Sequence, residues 1–152
     1  MQWAREGRLF TTDGRAINPR DLGIHISQTL REYDIDLVKL AYDRMFIEQL
    51  KAALDNEGIS LPLDPFGQGY LSMAPAVNQF ERLLLNGQLV HPSHPILTSH
   101  AANVVLNQDA AGNRKPAKDK ATGRIDVIVA AIMAAGVAEY GLDAEPYYPE
   151  GF

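Results

Sequence analysis

A chain of 152 residues, 46% of them hydrophobic, carries enough apolar mass to bury one substantial core. The absence of cysteine excludes a disulfide framework and thiolate metal sites, and neither a signal-type leader nor a bilayer-length apolar run is evident, so the sequence reads as one cytoplasmic domain, 1–152, with no membrane partner. The net charge of −5 argues against a surface that grips nucleic acid over its whole extent, although Arg114, Lys115, Lys118, Lys120 and Arg124 gather against Asp119 alone.

In chain order, Arg8 to Thr12 reads as a short strand or extended arm ahead of an Asp13-Gly14 turn. Asn18 is a favourable N-cap with Pro19 behind it, and Leu22, Ile26 and Leu30 recur at helical spacing, which predicts a helix to Tyr33. Leu37 to Tyr42 is a short β-type run that stops at Asp43. A helix from Met45 to Asn56 follows, with Phe46, Leu50 and Leu54 on one face and Gly58 as its stop. Ile59 to Phe66 predicts an edge strand, because Pro62 and Pro65 cannot donate to a ladder.

Gly67-Gln68-Gly69 then opens into a helix near Ser72 whose Val77, Phe80, Leu84 and Leu85 are expected to face inward, with an end at Gly87. Leu89-Val90 reads as a brief strand and Pro95 to Val105 as a helix. A mobile basic loop from Asn113 to Lys120 leads into a last helix, Gly123 to Tyr140, stopped by Gly141, and residues 141–152 form a surface tail. Alternating helices and strands argue for an α/β domain with few strands of its own.

Two aspartates stand out. Asp43 lies at a strand C-terminus, the edge of an α/β sheet where ligands bind, and Asp126 is set in the apolar run Ile125 to Met133, on what reads as the buried side of a helix. Each has a plainer reading. Asp43 suits a helix N-cap, and Asp126 suits the first turn of a helix beginning at Thr122 or Gly123, where the macrodipole favours an acid. If the two converge they form a hard-oxygen site for Mg²⁺ or Mn²⁺. His25, His91, His94 and His100 show no zinc spacing, and Gly67-Gln68-Gly69 lacks the rest of a phosphate loop.

The succession Ala41-Tyr42-Asp43-Arg44, Phe66-Gly67-Gln68-Gly69-Tyr70-Leu71-Ser72-Met73, Glu81-Arg82-Leu83, Gly87-Gln88-Leu89, Asn103-Val104-Val105, Asp109, Gly112-Asn113, Lys115-Pro116, Lys118 and Ile125-Asp126 resembles the C-terminal nuclease domain of the terminase large subunit of tailed bacteriophages. The resemblance runs from Trp3 to about Ala138. It implies an RNase H-like fold, a mixed sheet flanked by helices, here without the first three-strand meander and the acid that meander carries. It also implies a two-metal endonuclease that cuts concatemeric double-stranded viral DNA during packaging. Asp43 and Asp126 match catalytic, metal-holding acids, Lys115, Lys118, Lys120 and Arg124 would contact DNA, and Asp109 would stand behind the metal ligands.

The implied partners are a terminase ATPase domain or upstream chain, the small terminase subunit and the portal, in the cytoplasm of a bacterial host or from a prophage. The alternative is a non-catalytic packaging or assembly fragment of the same fold. Without the meander one edge of the Leu37 to Tyr42 strand is open, so the Arg8 to Thr12 arm or a second copy of the chain is expected to cover it.

Overall fold

The computed structural model describes residues 2–45, 47–91 and 93–138, which fall into two compact units, Met1–Asp64 and Pro65–Phe152. Among the described residues no helix is long and apolar enough to cross a membrane. The expectations for Phe46, Tyr140, Gly141 and the tail 141–152 lie outside the described residues.

The first unit opens with a short helix, α1 (Gln2–Arg5), which the sequence did not announce. Arg8 to Thr12 is not a strand: it is irregular backbone whose Phe10 ring leans on His25 at 4.4 Å between centroids. Helix α2 (Pro19–Glu32) begins where the cap demands, the Asn18 side chain accepting from the Arg20 N–H. Its expected apolar face is only half covered, and Leu22 is exposed. The buried position is Gly23, where a Cβ would stand 2.8 Å from Leu54 Cδ2 on α3 (Ile47–Asn56), so glycine permits the close approach of the two helices. The guanidinium of Arg20 pairs with Glu57 across the same junction.

Gly58 ends α3 in the left-handed region, φ +64°, letting the Ile59 N–H return to the Leu54 carbonyl at 2.9 Å. Strand β1 spans Leu40–Asp43 rather than Leu37 to Tyr42; Val38 is exposed and lies before the ladder. β1 pairs with β2 (Leu63–Phe66), whose first two residues belong to this unit, and the Leu40 N–H donates to the Pro62 carbonyl at 2.8 Å.

The second unit is built on α4 (Tyr70–Leu85) packed against α6 (Asp126–Val137). The inward face of α4 is Met73, Ala74, Ala76, Val77 and Leu83; Leu84 and Leu85, expected inside, are exposed. Small residues prevail because α6 comes very close. A Cβ on Gly136 would meet Ala76 Cβ at 2.7 Å and the Phe66 ring at 3.1 Å. From α6 the core receives Ile128, Val129, Ile132, Met133 and Ala135.

Leu89-Val90 forms no strand. After α5 (Pro95–Asn103), which also packs on α6, the chain makes a hairpin that was not expected: β3 (Leu106–Gln108) runs antiparallel to β4 (Arg114–Pro116), with Asn107 opposite Lys115. The described strands make two two-stranded sheets, flanked by the helices.

Candidate functional site

Asp43 is the last residue of β1 and is exposed. Its Oδ1 accepts the Met45 N–H at 3.2 Å, so it closes a turn and does not cap α3, which starts at Ile47. Among the described residues Oδ2 accepts no hydrogen bond. Asp126 is the first residue of α6, and it is exposed, not buried as its apolar neighbours suggested. The burial belongs to Ile125, Ile128 and Val129 around it, while a first-turn acid points out and gains from the helix dipole. Asp43 belongs to the first unit and Asp126 to the second.

The start of α6 is held from outside. Ile125 occupies the cap position without a side chain able to accept, and His100 Nδ1 accepts the Val127 N–H at 3.0 Å instead. Asn103 Nδ2 donates to the Arg124 carbonyl at 3.3 Å, and Asn103 Oδ1 accepts from Thr122 Oγ1 at 3.1 Å. These contacts lie at the start of α6, which begins at Asp126 and not at Thr122 or Gly123.

The basic segment is not a loop throughout. Arg114 lies in β4 and its guanidinium forks onto Glu81 at 2.9 and 2.6 Å and reaches Asn78 at 2.8 Å, pinning the hairpin to α4. Lys115 is half-buried, its Nζ 4.9 Å from the Tyr70 ring centroid and 3.5 Å from the Gln68 carbonyl oxygen. Lys118 and Lys120 occupy an exposed turn, and Arg124 is exposed just before α6.

Asp109 is committed to the hairpin loop. Its Oδ1 accepts from the N–H groups of Ala111 and Asn113 at 3.0 and 2.9 Å, and its Oδ2 accepts from Asn113 Nδ2 at 2.9 Å. The Asn113 side chain, followed by the loop N–H groups, holds this carboxyl below the usual range. His91 Nδ1 accepts from the Ser93 N–H and His94 Nδ1 caps α5 through Ile96, so both act locally. Within each unit, no group of three His, Asp or Glu side chains converges among the described residues.

The chain matches the model of a family described as terminase large subunit, endonuclease domain, over residues 2–141. It is 47% identical over 136 residues to the terminase large subunit of Enterobacteria phage HK97, covering 90% of this chain and 27% of that protein. It is also 32% identical over 118 residues to protein YmfN of Escherichia coli (strain K12), covering 62% of this chain and 26% of that protein. It therefore spans about a quarter of the length of these curated relatives.

Among solved structures, the HK97 bacteriophage large terminase superposes with a TM-score of 0.84 at 47% identity, over 90% of this chain and 28% of that one. The large terminase nuclease from thermophilic phage G20c superposes with a TM-score of 0.62 at 18% identity, over 83% of this chain and 66% of that one, a likeness of fold. The α/β class expected from the sequence is the fold shared with these nucleases.

Proposed function

Because this chain belongs to the family of terminase large subunit endonuclease domains, we propose that it is the DNA-cutting part of a tailed-phage packaging machine, hydrolysing phosphodiester bonds of concatemeric double-stranded DNA. One observation carries the reading: Asp43 at a strand end and Asp126 at a helix start both present exposed carboxylates, and neither is spent on an ion pair among the described residues.

Such donors fit Mg²⁺ or Mn²⁺, which accept one or two carboxylates and keep several waters. Asp43 would offer Oδ2, since Oδ1 already serves Met45, and Asp126 would offer either oxygen. A divalent cation bound there would neutralise charge at the scissile phosphate and raise the acidity of a bound water. Lys118, Lys120 and Arg124 are free to meet backbone phosphates by charge, and Lys115 presents a cation fixed by Tyr70. Asp109 serves the hairpin loop in this reading, not the cation. In the bacterial cytoplasm the working partners would be the ATPase part of a large subunit, the small subunit and the portal.

Nicking of supercoiled plasmid by the 152-residue chain in millimolar Mn²⁺ tests the proposal. Two carboxylates leave much of the cation charge uncompensated, so nicking is expected to be slow and to fall by at least about 10² in Asp43→Asn or Asp126→Asn. Nicking that both substitutions leave unchanged would sink the site. No nicking under any divalent cation would favour the non-catalytic assembly role.

A further inference from the structure

The C-terminal half of α6 borders an apolar groove in the second unit. Ala131, Ala134 and Ala138 form one wall, Phe80 of α4 and Leu97 of α5 stand across from them beside Leu89, and the space measures about 320 Å³. Phe80, Leu89 and Leu97 are only half-buried and Ala134 is exposed, so among the described residues this lining faces water. One polar group reaches the rim. His91 Nδ1 accepts the Ser93 N–H at 3.2 Å, so in the neutral ring Nε2 carries the proton and can donate to a carbonyl laid across the groove.

The sequence that follows α6 has the pattern of a segment with one covered face. Apolar residues Ala138, Tyr140, Leu142 and Ala144 alternate with Glu139, Gly141, Asp143 and Glu145. Alternate side chains of an extended chain share a side, so this two-residue period suits a half-buried strap. Residues 139–145 lie outside the described residues, but Ala138 supplies their starting point: its backbone is extended, φ −68° and ψ 124°, and it lines the groove. An extended continuation carries Tyr140 and Leu142 on the side of Ala138.

Reach and chemistry agree with this placement. Four extended residues beyond Ala138 span about 13 Å, and Ala131 lies about 10 Å back along the helix axis, so a segment folded back over α6 covers the groove. The other flank of the same helix end is lined by Ser72, Gln79 and Arg82, with no apolar side chain larger than Pro75, and offers a tyrosine and a leucine little to bury against.

We propose that this groove is the docking site of the chain's own segment 139–145, with Tyr140 and Leu142 seated between α6 and the Phe80 and Leu97 side chains. A tether of two to four residues gives an effective concentration on the order of millimolar, which favours the chain's own segment over a second copy at micromolar protein. The inference is independent of the metal-binding reading.

The test is methyl NMR and limited chymotrypsin cleavage of the full 152-residue chain, as wild type, Ala134→Glu and Leu142→Ser. In the wild type, NOEs are expected from the Tyr140 ring and the Leu142 methyls to the methyls of Ala134 and Leu97. A carboxylate on the groove wall should expel the segment: Ala134→Glu is expected to speed cleavage after Tyr140 about 10-fold, since cleavage follows the open population, and to change cleavage after Tyr147 by less than about 2-fold. Leu142→Ser alters no described residue, so it leaves the core intact and should still remove the NOEs at Leu97.

Absence of these NOEs in the wild type, or an Ala134→Glu chain in which the two cleavage rates keep their ratio, overturns the proposal. In a sample mixing labelled and unlabelled chains, NOEs found only between different copies overturn it in favour of a second copy in the groove.

Discussion

At the scale of single residues, the aspartates divide by what their oxygens already hold. Among the described residues Asp43 keeps one oxygen uncommitted, Asp126 both, and Asp109 none. Asp109 therefore supports a prediction about stability and not about catalysis. Its folded-state carboxyl lies below the reference value of 3.8, so its contribution is complete above that pH and is lost as pH falls through the lower folded value. The amide shifts of Ala111 and Asn113 should accordingly titrate together below pH 3.8, and Asp109→Ala should abolish the step; a midpoint at or above 3.8 would contradict the loop geometry. Asp126 was misread as buried because a run of Ile, Val and Ala reads as core on every side. The helix starts at the aspartate itself, and a first-turn residue can face solvent whatever follows it.

At the scale of elements, the close approach of α4 and α6 at Gly136 makes a second prediction. Gly136→Ala places a methyl against the Ala76 Cβ, which cannot rotate away, and the Phe66 ring, so urea denaturation should show a loss of about 1–3 kcal/mol. Unchanged stability would mean that the helices part without cost. A third prediction concerns the exposed turn after β4: neutralising Lys118 and Lys120 together should lower the salt slope of DNA binding by roughly 0.9 for each phosphate no longer neutralised. An unchanged slope would return these lysines to the role of solvated surface. Features governed by neighbouring residues were legible in the sequence, as with Asn18-Pro19 at the start of α2 and Gly58 and Gly87 at the ends of α3 and α4. Features governed by distant packing were not. Val77 is buried as its spacing predicts, but Leu84 and Leu85, expected beside it, are exposed, whereas the approach of Gly136 selects the small Ala76. The β3–β4 hairpin escaped notice because each strand is three residues long and largely polar, although Asp109, Gly112 and Asn113 carried its turn signal.

At the scale of the whole molecule, Asp43 and Asp126 match acids of the family through resemblance, and each lies in its own unit. The free side of β1 among the described residues bears on assembly. Among the described residues β1 pairs with β2 alone, and the Arg8 to Thr12 segment adds no strand to it. A second copy is therefore expected to cover that edge. Light scattering should report twice the 16.7 kDa chain mass; a monomer whose amides at residues 40–43 exchange freely would contradict the expectation. The central claim, that Asp43 and Asp126 are carboxylates that take a divalent cation, is tested most directly by anomalous diffraction from Mn²⁺-soaked crystals of the chain. The account predicts manganese about 2.1–2.3 Å from a carboxylate oxygen of these aspartates. Crystals in which neither carboxylate holds manganese would contradict it.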